Sequence, residues 1–455
     1  MNKLTKLTTA LLLAGVLTAC ADLDSSLKAT DQNYQQYVNT TAEYKVNEQW
    51  WKNYHDPQLD QLIETALNNN LNLAKSAIAV NLALYNANLI GADLVPTFSG
   101  KGSTSATKDL QHNGNSQINS TAQFNLSYTL DLWRKLSDAT SAAEWEHKAT
   151  VADLAAARLV LINAVVNTYY TLAYLNSAIN ATQDSVTYYK QIQNVIENKY
   201  KAGITDDLST AQAMQAVLVA QNNLLSLQSQ RETALNTMRN LLNLKPNQPL
   251  NLTYPDILKV KTIGVNLDVP VSVIANRPDV QAAKYRLQSA FKSAKATQKS
   301  WFPSVSLGAN LNITGTHLND ITDTVTGSGL IGISLPFLSW QQVKWNVKIS
   351  EEKYQLALIN FEQAITSALN EINKLYFNYR QSGNSLKNIQ EKYNYDRKIS
   401  SYYKKRYDAG ISELKDWLTA ENTAKIAEIS LLNAKYNQIK NETAVYQAMA
   451  GYYSK

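Results

Sequence analysis

The stretches "YKAGI" at Tyr200–Ile204 and "YDAGI" at Tyr407–Ile411 lie 207 residues apart. The same offset recurs along the chain. Asn72 in "NLNLAKSA" matches Asp279 in "RPDVQAAK", Pro96 in "LVPTFS" matches Pro303 in "WFPSVS", and Trp133 matches Trp340, the last to within a residue or two. This is a duplicated domain, not a short-period solenoid. The two copies join across a proline-containing stretch from Lys245 to Pro270. Gly203 and Gly410 fall where a long helical pattern stops. Glycine accepts the left-handed conformation that ends a helix, so each "AGI" is read as the tip of a helical hairpin. Thr205 and Ser412 are expected to cap the returning helices.

Each copy shows the same internal order. A helical stretch, Gln58–Ala92 or Val280–Ser300, comes first. Two strand-like runs follow, then a very long helical stretch up to the tip, then a returning helix. The strand runs alternate with period two. "SVSLGANLNI" sets Val305, Leu307, Ala309, Leu311 and Ile313 on one face, and "FNLSYTL" does the same with Phe124, Leu126, Tyr128 and Leu130. "IGISL" adds Ile331, Ile333 and Leu335. Turns rich in Gly, Asn, Asp and Thr, near His112–Asn115 and Thr316–Gly329, close one hairpin per copy. Four strands are too few for a closed barrel, which needs about eight. Bare strand edges are not tolerated in lipid. Several chains must therefore pool strands, and three would supply twelve.

The helical stretches are long. Ser137 to Lys199 contains neither Pro nor Gly and would reach ~95 Å at ~1.5 Å per residue. Leu161, Val165, Thr168, Leu172, Leu175 and Ile179 step by four and three, and Phe361, Ile365, Ala368, Ile372, Leu375 and Tyr379 repeat that phase. Trp417, Ala420, Ala424, Ala427, Leu431 and Ala434 form a third such stripe. These are seams for coiled packing, and the last two are expected to need neighbouring chains.

Composition narrows the function. The chain has 43 basic and 37 acidic residues, a net charge of +6 and no basic run of the kind nucleic acid requires. The 26 tyrosines and 8 tryptophans suit boundaries between apolar and wet surroundings. His55, His112, His147 and His317 show no metal-ligand spacing. No phosphate-binding glycine loop and no nucleophile constellation appear, so an enzyme and a cofactor are not expected. The single cysteine, Cys20, excludes a disulfide within the chain. It ends a segment with Lys3 and Lys6 followed by a short apolar run from Leu7 to Leu17, too short for a stable span. Beyond it no apolar run of about 18 residues stands out, so any membrane crossing is expected through strands.

The segment "LTAC" resembles the lipobox of bacterial lipoproteins, in which the peptide is cut before the cysteine and its thiol carries lipid. Together with "RPDVQAA", "WFPSVSL", "YTLDLW", "SLPF" and the paired tips, it resembles the outer-membrane factor family of TolC-like efflux channels. The resemblance implies an α+β homotrimer. In that fold a twelve-stranded β-barrel in the outer membrane continues into a long periplasmic α-helical barrel, with two tandem repeats per chain. It implies a signal peptide over residues 1–19, a palmitate-bearing lipoprotein anchor at Cys20, a first repeat over 20–250 and a second over 251–455. It also implies a passive duct for drugs or other small molecules, working with a periplasmic adaptor and a proton-driven inner-membrane pump. Protein secretion or metal export through the same build, and a structural trimeric coiled coil, remain alternatives.

The family narrows its periplasmic end with acids after the second tip. Asp416 occupies such a place, while Thr419 stands where a second acid is expected and Ser412 where some members carry a basic latch. Asp206, Asp207 and Glu413 are further gate candidates, although acids near a helix start also complement its dipole. Asp416 is read as lying beyond the first turn, where that explanation weakens.

Overall fold

A computed structural model describes residues 3–108, 116–315 and 324–454, with side chains from residue 23 onward. In chain order the elements are α1 (Lys3–Ala42), β1 (Lys45–Asn47), α2 (Pro57–Asn69), α3 (Leu71–Gly91), β2 (Thr97–Thr107), β3 (Gln117–Leu130), α4 (Lys135–Lys201), α5 (Asp207–Leu241), α6 (Pro278–Gln298), β4 (Ser304–Gly315), β5 (Thr324–Ser334), α7 (Trp340–Asp408), α8 (Leu414–Ala448) and β6 (Tyr452–Ser454). The duplication is visible at element boundaries. α3 and α6, β2 and β4, and α5 and α8 each start 207 residues apart, and α4 and α7 end 207 residues apart.

The chain forms two compact units, and neither follows the repeats. One comprises Met1–Gln36, Ala77–Asp153 and Asp279–Ala364; the other comprises Tyr37–Ser76, Leu154–Pro278 and Ile365–Lys455. Each draws on both copies.

The first unit holds an antiparallel sheet in the order β2-β3-β4-β5. Phe124 pairs with Leu311, Leu126 with Ala309, and Tyr128 with Leu307, which in turn pairs with Ile331. Because side chains alternate along a strand, this register gathers the apolar positions onto one face, as the alternation predicts. The opposite face carries Ser99, Asn125, Ser127, Asn310, Asn312 and Ser328, with Ser328 donating to Asn310 (2.8 Å). The turn at His112–Asn115 and the start of the one after Thr316 lie outside the described residues. Below the sheet, Asp131 starts α4 by accepting from the backbone of Leu136 and Ser137 (both 2.9 Å). Trp133 stacks on Phe302 and donates to the Pro303 carbonyl (2.8 Å). Asp138, buried, receives Lys292 (3.2 Å) and Lys299. Burial opposes ionisation of Asp138, but the hydrogen bonds from the two ammonium groups outweigh it and hold the carboxyl below its usual range.

The second unit is built on two helical hairpins, α4–α5 and α7–α8, whose core contains Val165, Tyr169, Leu172, Met238, Ile439 and Tyr446. β1 pairs with β6, Val46 opposite Tyr453; these three-residue strands carry too little pattern to be read from sequence. Arg277, in the "RPDV" stretch, is buried, donating to the Ala448 carbonyl and to Glu371 (both 2.7 Å). Glu442 is fully buried, accepting from Tyr54 (2.6 Å) and from the Gly264 backbone N–H.

Four expectations need correction. The helical stretch Gln58–Ala92 is broken at Asn70, whose side chain caps α3 through Asn72 and Leu73 (3.0 and 3.1 Å) and donates to Leu241 (3.0 Å). The seams at Phe361–Tyr379 and Trp417–Ala434 do not wait for neighbours. Phe361 packs on Tyr34 of the same chain, and Trp417, Ala424 and Leu431 are buried in the chain alone. Thr205 and Ser412 are not caps: Asp206 and Glu413, one residue later, hold those positions. Finally, two helical segments, Leu71–Leu94 and Lys135–Lys201, are long and apolar enough to cross a bilayer. In α4 much of that hydropathy is core, as Val165, Val166 and Leu172 show. α3 by contrast leaves Ile78, Leu82, Tyr85 and Leu89 exposed.

Candidate functional site

The two tips share one backbone design. Gly203 has φ +69° and Gly410 φ +73°. At the first, the N–H of Ile204 reaches the Lys199 carbonyl (2.8 Å) and that of Gly203 the Tyr200 carbonyl (2.9 Å). At the second, Ile411 reaches Arg406 (2.8 Å) and Gly410 reaches Tyr407 (2.9 Å). This is the six-to-one helix stop that a left-handed residue permits. Nothing lies near the Cβ position of either glycine, so backbone conformation alone selects it.

The acids follow each tip closely. Asp206 caps α5, accepting from the Ser209 backbone N–H (2.9 Å) and hydroxyl (2.7 Å), and these bonds hold its carboxyl below the usual range. Asp207 opens α5 and Glu413 takes the cap position of α8 without a side-chain cap bond. Asp416 lies in the first turn of α8, not beyond it, so dipole complementarity applies to it as well. All four are exposed, and no hydrogen bond or ion pair joins any two of them. Cys20 lies within α1, but its side chain is outside the described residues.

What sequence reading missed is the aromatic joint between the hairpins. Trp417 stacks on Tyr407 (5.3 Å) and meets Tyr188 edge-on (6.2 Å). Lys199 donates to the Tyr407 hydroxyl (3.1 Å) and lies over its ring, while Lys404 sits 5.3 Å from the Trp417 ring centre. Such contacts contribute about 0.5–1 kcal/mol each where exposed. The tyrosine three residues before each tip glycine was the available signal.

The strand wall is the other functional element. Phe98, Phe124, Leu311, Ile331 and Ile333 leave an apolar face exposed, and the reverse face is hydroxyl- and amide-rich. Leu330 interrupts the polar face, opposite Gly308.

A sequence model of the outer membrane efflux protein family matches residues 62–244 and again 269–451, the same 207-residue shift. The chain belongs to the outer membrane efflux protein family. It is therefore an outer-membrane efflux channel, not an enzyme. It is 53% identical over 454 residues to "Toxin and drug export protein A" of Aggregatibacter actinomycetemcomitans, covering 100% of this chain and 99% of the relative. It is 24% identical to "Cation efflux system protein CusC" of Escherichia coli O6:H1, covering 91% and 90%. Among solved structures, the outer membrane protein VceC of Vibrio cholerae superposes with a TM-score of 0.80 at 22% identity, covering 90% of this chain and 100% of that one. That likeness places the fold among the TolC-like channels with tandem repeats.

Proposed function

We propose that this efflux channel is the outer-membrane duct of a tripartite drug pump, assembled as a homotrimer. The observation that carries the reading is the sheet. Four strands with two unpaired edges, one apolar and one polar face, make a third of a twelve-stranded barrel with lipid outside and water inside. The hairpins form a helical barrel that a periplasmic adaptor joins to a proton-driven inner-membrane pump. The drug assignment leans on the relative named for toxin and drug export, which covers the whole chain. That name also favours a second reading, toxin export through the same duct; metal export rests only on a 24% relative. In this reading the mature chain begins at Cys20, residues 1–19 being the signal peptide and 20–250 and 251–455 the repeats. Cys20 carries the lipid anchor, and Cys20→Ser loses palmitate labelling.

Asp416 is proposed as the gate ring, with Asp206, Asp207 and Glu413 secondary because they stand at the very start of their helices, Asp206 as a hydrogen-bonded cap. Three copies near one axis would repel anions and prefer cations. The experiment is single-channel conductance in a planar bilayer. The parent should conduct with cation preference, and Asp416→Ala should raise resting conductance and weaken that preference. A parent that forms no channel sinks the duct; an unchanged Asp416→Ala sinks the gate assignment. Drug accumulation in cells lacking the protein then separates drug from toxin cargo.

A further inference from the structure

The strand wall is almost free of charge. Along β2, β3, β4 and β5 a single residue, Lys101, carries a charged side chain. The register decides its face. Lys101 pairs with Gln123, Gln123 with Asn312, and Asn312 with Thr326. Because side chains alternate along each strand, this row lies on the hydroxyl- and amide-rich face, and the neighbouring row of Phe124 and Leu311 lies on the apolar one. Lys101 is exposed and has neither an ion pair nor a side-chain hydrogen bond among the described residues. Polar groups on its face pair with one another instead: Ser103 shares a hydrogen bond with Thr121, and Ser328 donates to Asn310 (both 2.8 Å). No carboxylate on the four strands offsets the ammonium.

Its level in the wall and its number follow from the repeat. Lys101 stands four residues after Thr97, which starts β2, or about 13 Å along the strand. It therefore sits within the wall and not at the rim. Its counterpart in the second repeat is Gly308, on the same face opposite Leu330. A barrel pooled from three chains would carry three such lysines at one level, not six. β2 is an edge strand of the single chain, and an edge lysine also guards against stray strand addition. That role is served by a lysine on either face. An ammonium turned to water inside a low-dielectric wall does more, because its field is focused on the ions that pass.

We propose that Lys101 is a charge-selecting residue of the strand barrel, three ammonium groups forming a ring in the lumen that eases the passage of anions and of cargo bearing carboxylate or phosphate groups. Rings of lysine or arginine give pores a preference for anions, and lumen positions tune the selectivity of barrels. The ring is opposite in sign to the proposed Asp416 ring, so the two oppose each other in the ion preference of the parent. This rests on the homotrimeric duct reading and adds to it a selectivity residue in the strands.

Reversal potentials in planar bilayers under a potassium chloride gradient test it, on the full-length protein with assembly checked on native gels. Lys101→Gln should raise the potassium-to-chloride permeability ratio by about twofold at about 0.1 M salt, Lys101→Glu should raise it further, and Lys101→Arg should match the parent. Gly308→Lys should lower the ratio, since it adds a second cation to the same face; a Cβ there meets nothing closer than 3.6 Å. All these shifts should shrink in concentrated salt. Equal ratios in the parent, Lys101→Gln and Lys101→Glu overturn the proposal while the duct stands. A Gly308→Lys shift in the direction of Lys101→Glu overturns it as well. If Lys101→Gln and Lys101→Glu fail to assemble while Lys101→Arg assembles, the lysine is an edge guard and the ring is again overturned. A parent that forms no channel removes the duct, and the ring with it.

Discussion

α3 and α6 occupy equivalent places in the two repeats, yet their surroundings are opposite. α6 carries five charged residues in 21, and its four cations are ion-paired within the chain. Lys284 meets Asp31 (3.6 Å) and Lys295 meets Asp24 (2.7 Å), both on α1; Lys292 meets Asp138, and Arg286 meets Asp153 and Glu146 on α4. α3 carries one charge, Lys75, and leaves its leucines and Tyr85 exposed. The more apolar helix is the uncovered one. Identical local architecture therefore does not decide burial. α1 meets α6 of the second repeat through Asp24 and Asp31, while α3 of the first repeat stays bare.

The largest expected effect comes from charging the bare helix. Leu82→Asp should abolish assembly while single chains still fold, because an unpaired buried charge costs about 3–5 kcal/mol per copy. Native gels read the outcome, and a normal multimer would mean that α3 faces water and the contrast with α6 has no structural meaning.

Asp138 sharpens the contrast from the covered side, since the equivalent position in the second repeat is Trp345. Asp138→Asn should cost about 2 kcal/mol, less than a fully buried pair because both lysines are partly exposed. The folded carboxyl titrates below its unfolded value, so its contribution is present above about pH 4 and is lost as pH falls through the lower folded value. Melting curves of parent and variant should converge in acid; a pH-independent gap would mean that the charge is not what matters.

The tips should show equality instead. Gly203→Ala and Gly410→Ala each force a Cβ into the left-handed region at a cost of about 1–2 kcal/mol, with no clash to separate them. Losses in thermal stability that differ by more than about 1 kcal/mol between the two variants would break the equivalence of the tips.

The smallest effect is expected at Glu442, whose counterpart in the first repeat is Leu235. Burial pushes the Glu442 carboxyl up despite its hydrogen bonds from Tyr54 and Gly264. The folded value lies above the unfolded one, so this group favours folding in acid and loses that contribution as pH rises through the folded value. Glu442→Gln should change stability at neutral pH by no more than about 1 kcal/mol and flatten the decline that sets in as pH rises above the ordinary carboxylate range. A steeper decline in the variant would reverse the assignment.

The duplication, the glycine tips, the four strands and their apolar parity were all legible, because each rests on local chemistry: a φ that only glycine takes easily, or a side-chain period of two. The break at Asn70 was hidden because asparagine also sits quietly inside helices. The caps at Asp206 and Glu413 were displaced by one residue because Thr205 is a favoured cap type beside Asp206, and Ser412 is a better one than Glu413, which holds its place without a side-chain bond. The seam at Phe361 showed that something packs there but not which segment does so, and α1, the segment in question, carries no repeat signature. At the candidate gate, the sequence picked out the acids, while the Tyr407–Trp417–Lys199 joint needed the two hairpins brought side by side.

The short ladder between β1 and β6 has a consequence for synthesis. Val46 waits for Tyr453, a partner near the other end of the chain. The entropy of closing so long a loop grows slowly, by about 0.6 kcal/mol per doubling, but the wait is set by translation and export rather than by diffusion. Until the last residues arrive, the second unit holds an unpaired strand edge and an open core. A nascent chain of this protein is thus dependent on protection in transit, and removal of Tyr452–Ser454 should be felt first at β1.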